Sequence, residues 1–174
     1  MENEIIKYKA ETLVGKYIDL VPVNDTMVED IVRLRNQSKS IYFLNQNKSL
    51  TVQEQRQWIE KYKTSTDDIY WGFFNKEKII EGTIRLYSIE DKSAEMGSMT
   101  ADNAIKMSFF HYLEAEKMVV RFAFGILKLN RIYATVRSDN RAIIEATKRG
   151  GFHVCGNTYI RGVQYDCFEI INNG

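Results

Sequence analysis

Between Ile69 and Thr100 the apolar residues leave helical spacing for short β-rich runs, and helix-spaced segments stand on both sides of that stretch. "IYWGFFNKEKIIEGTIRLY" holds two such runs around the polar turn Asn75–Lys78, the pattern of a β-hairpin, and "SAEMGSMT" is a third run after Ser88–Lys92. A sheet must bury its apolar face against a second layer, so strands in mid-chain with helices before and after them call for an α/β arrangement.

Tyr17–Val23 reads as an earlier strand, and Val28, Ile31, Val32 and Leu34 after it fall on one helical stripe. Thr26 with Glu29, and Thr51 with Glu54, have the spacing of a capping box, in which two side chains satisfy orphan amides at a helix start. The second box opens a helix carrying Val52, Trp58, Ile59 and Tyr62, whereas Ile41–Leu44 is too short to assign. From about Ser108, residues Leu113, Ala115, Met118, Val119, Phe122, Ala123 and Ile126 make a broad apolar helical face expected to pack on the sheet. "RIYATV" is a strand, and a short helix follows through Ile143, Ile144 and Ala146, which Gly150 and Gly151 can end with positive φ. Phe152–Cys155 and Tyr165–Ile171 are the last strands, with Gly162 suited to a hairpin turn between them. The order is strand, two helices, three strands, helix, strand, helix, two strands, read as one domain over residues 1–174 with 1–13 peripheral or flexible.

A hydrophobic content of 44% and a single proline describe a folded chain. With 24 basic and 23 acidic residues there is no overall pull toward nucleic acid or an anionic membrane, and neither is expected as a partner. The start of the chain lacks the continuous apolar run of a signal peptide, and no stretch of about 18 apolar residues occurs, so a cytoplasmic, soluble protein is expected. Cys155 and Cys167 give no metal-ligand spacing and read as small reduced core residues.

The tail "DNRAIIEATKRGGF" followed by "GVQYDCFEI", together with the element order, resembles the GNAT superfamily of acyl-CoA-dependent N-acyltransferases from about Val14 to Ile171. More narrowly, the chain is similar to the branch with ribosomal-protein N-terminal, polyamine and nucleotide-amino-sugar acetyltransferases. That branch's Arg-Asn pair falls on Arg35 and Asn36, its Glu-x-Gly on Glu95 and Gly97, its late Asn on Asn140, its Gly-Phe on Gly151 and Phe152, and its Tyr-Asp on Tyr165 and Asp166. The resemblance implies a mixed, strongly twisted sheet with helices on both faces and two central strands that splay around the pantetheine of acetyl-CoA. It further implies backbone pairing along Gly97, Ser98, Met99 and Thr100, pyrophosphate held by the amides of Phe110, His111, Tyr112 and Leu113, and self-association through the last strands.

One segment departs from that family. Members usually carry Arg/Gln-x-x-Gly-x-Gly/Ala before the long helix, because small residues let backbone amides approach phosphates. Counting back from Phe124, the signature positions fall on Met107, Phe110 and Tyr112, and "NAIKMSFFHYLEAEK" contains no glycine. Three readings stand: the helix start still binds pyrophosphate, with Lys106, Ser108 and Tyr112 as added donors; the aromatic loop fills the groove and leaves an inactive binding module; or the donor or the alignment differs.

Acyl transfer to an amine needs a neutral nucleophile, donors for the oxyanion and a proton for the departing thiolate. Glu95 is the first candidate for general base, with a carboxylate paired to a neighbouring basic residue as the plain alternative. Tyr112 is the second catalytic candidate and His111 a further one, since histidine titrates near neutrality. The place of the Tyr that many relatives use as acid falls on Thr147. Asn140 is expected to hydrogen-bond pantetheine or to cap a helix, and Arg35, Tyr42, Trp71 and Arg85 are candidates for the acceptor pocket. The acceptor is expected to be a small or peptide-borne primary amine.

Overall fold

The three mid-chain strands form the centre of an eight-stranded sheet in the computed structural model, which describes residues 2–101 and 108–172. The elements run α1 (Glu2–Tyr8), β1 (Leu13–Val14), β2 (Ile18–Pro22), α2 (Val28–Arg35), α3 (Ser38–Phe43), α4 (Val52–Thr64), β3 (Ile69–Asn75), β4 (Ile80–Glu90), β5 (Ser93–Thr100), α5 (Ser108–Gly125), β6 (Arg131–Arg137), α6 (Arg141–Arg149), β7 (His153–Ile160) and β8 (Val163–Ile171). The strand order is β1-β2-β3-β4-β5-β6-β8-β7, antiparallel throughout except for the parallel pair β5–β6.

Helices cover both faces. On one face α5 sets Tyr112, Ala115, Val119 and Phe122 against Ile84, Leu86, Ala94 and Met96, and α6 adds Ala146. On the other face Val28 and Ile31 of α2 and Ile59 and Tyr62 of α4 cluster with Tyr70 and Val23. Alternation along β4 serves both layers, since Ile84 and Leu86 are buried in the first core while Thr83, Arg85 and Tyr87 line a cavity of the opposite layer. Glu114 of α5 accepts the amides of Lys16, Tyr17 and Ile18 at 2.8, 2.8 and 3.0 Å, which pins the β1–β2 turn to the helix.

Several local expectations are corrected. The capping box at Thr51 and Glu54 forms, but Thr26 and Glu29 do not make one: Asn24 accepts the Thr26 amide and opens a 3-10 turn, Asp25–Met27, before α2 begins. Ile41–Leu44, left unassigned by its length, lies largely in α3. The β4–β5 turn is tighter than Ser88–Lys92, because β4 runs on to Glu90 and leaves Asp91 and Lys92, both at positive φ, to make the turn. At the end of α6 only Gly151 does so, at 101°, while Gly150 stays helical at −67°. Within the segment 1–13, read as flexible or peripheral, Ile5 of α1 lies in the main core at 2% exposure. Cys155 is exposed and Cys167 half-buried, both as free thiols, because they lie on the outlying β7–β8 hairpin and not in the core.

Candidate active site

The parallel ladder of β5 and β6 is short. It pairs Ser93 with Arg131, Ala94 with Ile132 and Glu95 with Tyr133, and then stops, although β5 runs on to Thr100 and β6 to Arg137. Among the described residues, β5 beyond that point is held only by β4, and β6 only by β8. Two strand edges therefore diverge from Glu95 and face each other with backbone groups that have no ladder partner. Buried backbone groups are rarely left unpaired, so such a wedge suits an extended ligand that pairs as a strand would.

Two cavities flank the wedge. One of about 580 Å³ lies beneath α2 and α4, where Arg35, Gln55, Trp58, Tyr70, Arg85 and Tyr87 face Gly97, Ser98 and Met99. The other, of about 470 Å³, runs past Ser98, Met99, Thr100, Asp139, Asn140 and Ile143. They share Leu44, Ser98 and Met99. A group placed at Ser98–Met99 is thus open to both cavities.

Glu95 shares the strand face of Gly97 and Met99, which puts it on the side of the larger cavity. Its Oε1 accepts the Thr135 hydroxyl at 3.1 Å, bridging β5 to β6 at the apex of the wedge. Burial, and then the nearby Glu95 carboxylate, push the Tyr87 phenol above its ordinary range. Tyr87 also accounts for Gly97, where a Cβ would stand 3.2 Å from the Tyr87 ring.

Tyr112 comes to the wedge from the α5 layer. Its hydroxyl lies 2.9 Å from Ser98 Oγ, and the side chain is 3% exposed. Burial, and then Glu116, push its pKa up, while hydrogen bonding with Ser98 and Thr147 offsets part of the rise. The phenol therefore stays protonated across the physiological range. Thr147, which occupies the place expected of a tyrosine, is buried against this hydroxyl, so three hydroxyls from β5, α5 and α6 meet where the two cavities join.

Other expected residues are placed elsewhere. His111 Nδ1 lies 2.6 Å from Glu81 Oε2 and its ring stacks on Tyr17, so it lines neither cavity. Among the described residues α5 runs from Ser108, so of the expected phosphate-binding set Phe110 and His111 stand nearest that end, while the amides of Tyr112 and Leu113 fall within the helix. Phe110 is 57% exposed and Phe109 packs beside it and Arg149, and neither lines either of these two cavities. Lys106, Met107 and the Ser108 side chain lie outside the described residues.

Asn140 caps α6, accepting the Ile143 amide at 3.5 Å while lining the smaller cavity. Arg35 and Arg85 line the larger one, but Trp71 is fully buried in the core and Tyr42 is exposed, donating to Asp139 at 2.5 Å with Arg137 stacked on its ring. Asn36, beside Arg35, clamps both backbone groups of Leu50. Gln55 and Glu116 had not been singled out. Each is a polar residue inside an apolar helical stripe, Gln55 between Val52 and Ile59 and Glu116 between Ala115 and Val119, and that mismatch is the signal that marks them.

The acetyltransferase (GNAT) domain profile matches residues 18–153. The chain belongs to the GNAT acetyltransferase family. It is an N-acetyltransferase of that fold, 26% identical over 179 residues to a probable N-acetyltransferase, YjcK, from Bacillus subtilis, covering 88% of this chain and 92% of that one. A GNAT-family acetyltransferase from Bacillus anthracis superposes with a TM-score of 0.80 at 15% identity, over 92% of this chain and 98% of the other. The spermidine N-acetyltransferase of Vibrio cholerae, solved with CoA and spermine, superposes with a TM-score of 0.77 at 17% identity, over 90% and 96%. At those identities the structural likeness concerns the fold.

Proposed function

We propose that this GNAT enzyme transfers an acetyl group from acetyl-CoA to a primary amine, with the two substrates meeting at Ser98–Met99. The observation that carries the reading is the junction of two cavities at the point where β5 and β6 part. The unpaired edges of Met96–Thr100 and Ala134–Arg137 suit the amides of a pantetheine arm, and the amides of Ser108–Phe110 open α5 with the polarity that favours phosphate. Acetyl-CoA supplies an acetyl group activated as a thioester.

The protein's own groups supply the proton handling. Glu95, oriented by Thr135, takes a proton from the ammonium form of the acceptor, directly or through water, and so frees the nitrogen lone pair. The new C–N bond forms as the C–S bond breaks, the sulfur leaves with the electron pair, and the proton that the acylated nitrogen then sheds goes to that thiolate, giving the amide and the free thiol. The Tyr112–Ser98–Thr147 hydroxyls stabilise that developing charge by donation, with Tyr112 kept protonated by its burial. An inactive module whose groove is filled by aromatic side chains is the weaker reading, since Phe109 and Phe110 line neither cavity.

The test is melting temperature with and without excess acetyl-CoA, followed by thiol release with an amine panel. A ligand at about 100 times its Kd adds roughly 2.7 kcal/mol to the folded state, an increment a melting curve resolves. Stabilisation with amine-dependent thiol release is expected. An unchanged melting temperature at saturating acetyl-CoA, with no thiol released, would overturn the reading.

A further inference from the structure

Among the described residues, two buried donors on the wall of the acceptor cavity have no acceptor. Arg35 Nε and Gln55 Nε2 are both sealed from solvent without a hydrogen-bond partner, and both residues line the 580 Å³ space. Gln55 is 4% exposed. A buried donor without an acceptor is costly, so a pair of them in one cavity points to a ligand that accepts.

The remaining charges on that wall are matched. The Arg85 guanidinium is held bidentately by Asp68, with Nε at 2.8 Å from Oδ1 and the second contact from Nη2 to Oδ2. Glu54 is held by Lys48 and by the amide and hydroxyl of Thr51. Trp58, Tyr70 and Tyr87 would suit an ammonium group on their ring faces. Arg85 already stands over these rings, at 5.0, 5.9 and 4.7 Å from their centroids. Among the described residues, then, the cavity wall carries a guanidinium whose Nε has no acceptor beside an amide donor that has none, and no unpaired carboxylate among its lining residues, Glu95 standing beside Tyr87 behind that wall.

We infer that the acceptor is an amine that also carries a carboxylate, an amino-acid-like molecule whose oxyanion is bound by Arg35 and Gln55. The inference rests on the acyl-transfer reading above. A planar guanidinium fork matches a carboxylate, and Leu44, Leu50 and Met99 offer an apolar wall for the rest of the molecule. A polyamine would instead bring further positive charge beside Arg35.

The experiment compares matched amines with acetyl-CoA present: leucine against isopentylamine, phenylalanine against phenethylamine, and spermidine and O-phosphoethanolamine beside them. The carboxylate-bearing member of each pair is expected to lead in kcat/KM by roughly 10- to 100-fold, the range of a charge-assisted contact. In Arg35→Gln that ratio should collapse toward unity, and Arg35→Lys should restore part of it. Separately, 3-phenylpropionate, which has no amine, should raise the melting temperature of the wild type without acetyl-CoA and not that of Arg35→Gln. Equal or better turnover of the amines lacking a carboxylate, preference for spermidine, or an equal loss on every substrate in Arg35→Gln would overturn the inference. Preference for O-phosphoethanolamine would replace the carboxylate with a phosphate and overturn it too. Turnover without carboxylate preference would leave acyl transfer standing and remove the oxyanion site. Binding of 3-phenylpropionate that depends on Arg35, with no thiol released from any amine, would remove acyl transfer and keep the site.

Discussion

Glu95 stands at the apex of the wedge and Tyr112 meets Ser98 from the opposite layer of the sheet, and their surroundings suit them to opposite halves of a proton transfer. Glu95 is half-buried, bound to the hydroxyls of Thr135 and Tyr87, and on the strand face of the acceptor cavity. Its replacement in Glu95→Gln keeps an acceptor for Thr135, so the melting temperature should barely move, while kcat/KM should fall by about 10²- to 10⁴-fold. Full activity in that variant would make Glu95 a strut between β5 and β6 and nothing more. Tyr112→Phe removes a buried hydroxyl that touches Ser98, which should cost about 1 kcal/mol and lower the melting temperature by about 2–4 °C. If the hydroxyl also stabilises the departing sulfur, kcat falls while KM holds. Steady-state kinetics beside calorimetry separates the two effects.

At the scale of elements, two threonines with one sequence signature behave differently. Thr51 has an extended backbone, accepts the Glu54 amide at 3.2 Å and donates its own amide to Glu54 at 2.9 Å. Thr51→Ala should therefore destabilise by about 1 kcal/mol, and Thr26→Ala by less, because the cap there is Asn24; urea unfolding of both variants checks the order. Spacing alone cannot separate these cases, since the 3-10 turn before α2 displaces the cap by two residues. Long periodic segments were legible for the opposite reason: α5 and β3 to β5 repeat their pattern over several turns or pairs, so one ambiguous residue changes little. Glu95, Gly97 and Arg35 could be found from motif positions in the sequence. The wedge could not, because whether β5 keeps its partner after Glu95 depends on the twist of two strands some 40 residues apart, and no residue in "SAEMGSMT" records it. The orphan status of Arg35 and Gln55 is equally a property of what the folded chain fails to bring near them.

For the whole molecule, the pH dependence of stability joins groups that pull in opposite directions. Glu54 is held down to about 2, chiefly by its contact with Lys48, and Asp139 and Glu169 are held low by Tyr42 and Arg131. Such carboxylates stabilise the fold above their unfolded pKa and lose that contribution as pH falls through the folded value. Glu116 works the other way. It is fully buried on α5, neither carboxylate oxygen has a partner, and burial raises its pKa from 4.5 to about 8. Between those values the unfolded chain has released a proton that the folded chain retains, so stability falls as pH rises through the window and levels off above it. Glu116→Gln, a neutral group of the same shape, removes that term. Its melting temperature should be close to that of the wild type near pH 5 and exceed it increasingly toward pH 8, with the wild type losing up to about 1.4 kcal/mol per pH unit from this group. Melting curves of both proteins at matched ionic strength decide the point: parallel curves across the window would mean that Glu116 is solvated in the folded protein. A widening gap would show that Glu116 is neutral in the folded helix layer behind Tyr112 and Thr147, and that burying its charged form is what weakens the fold as pH rises through the window.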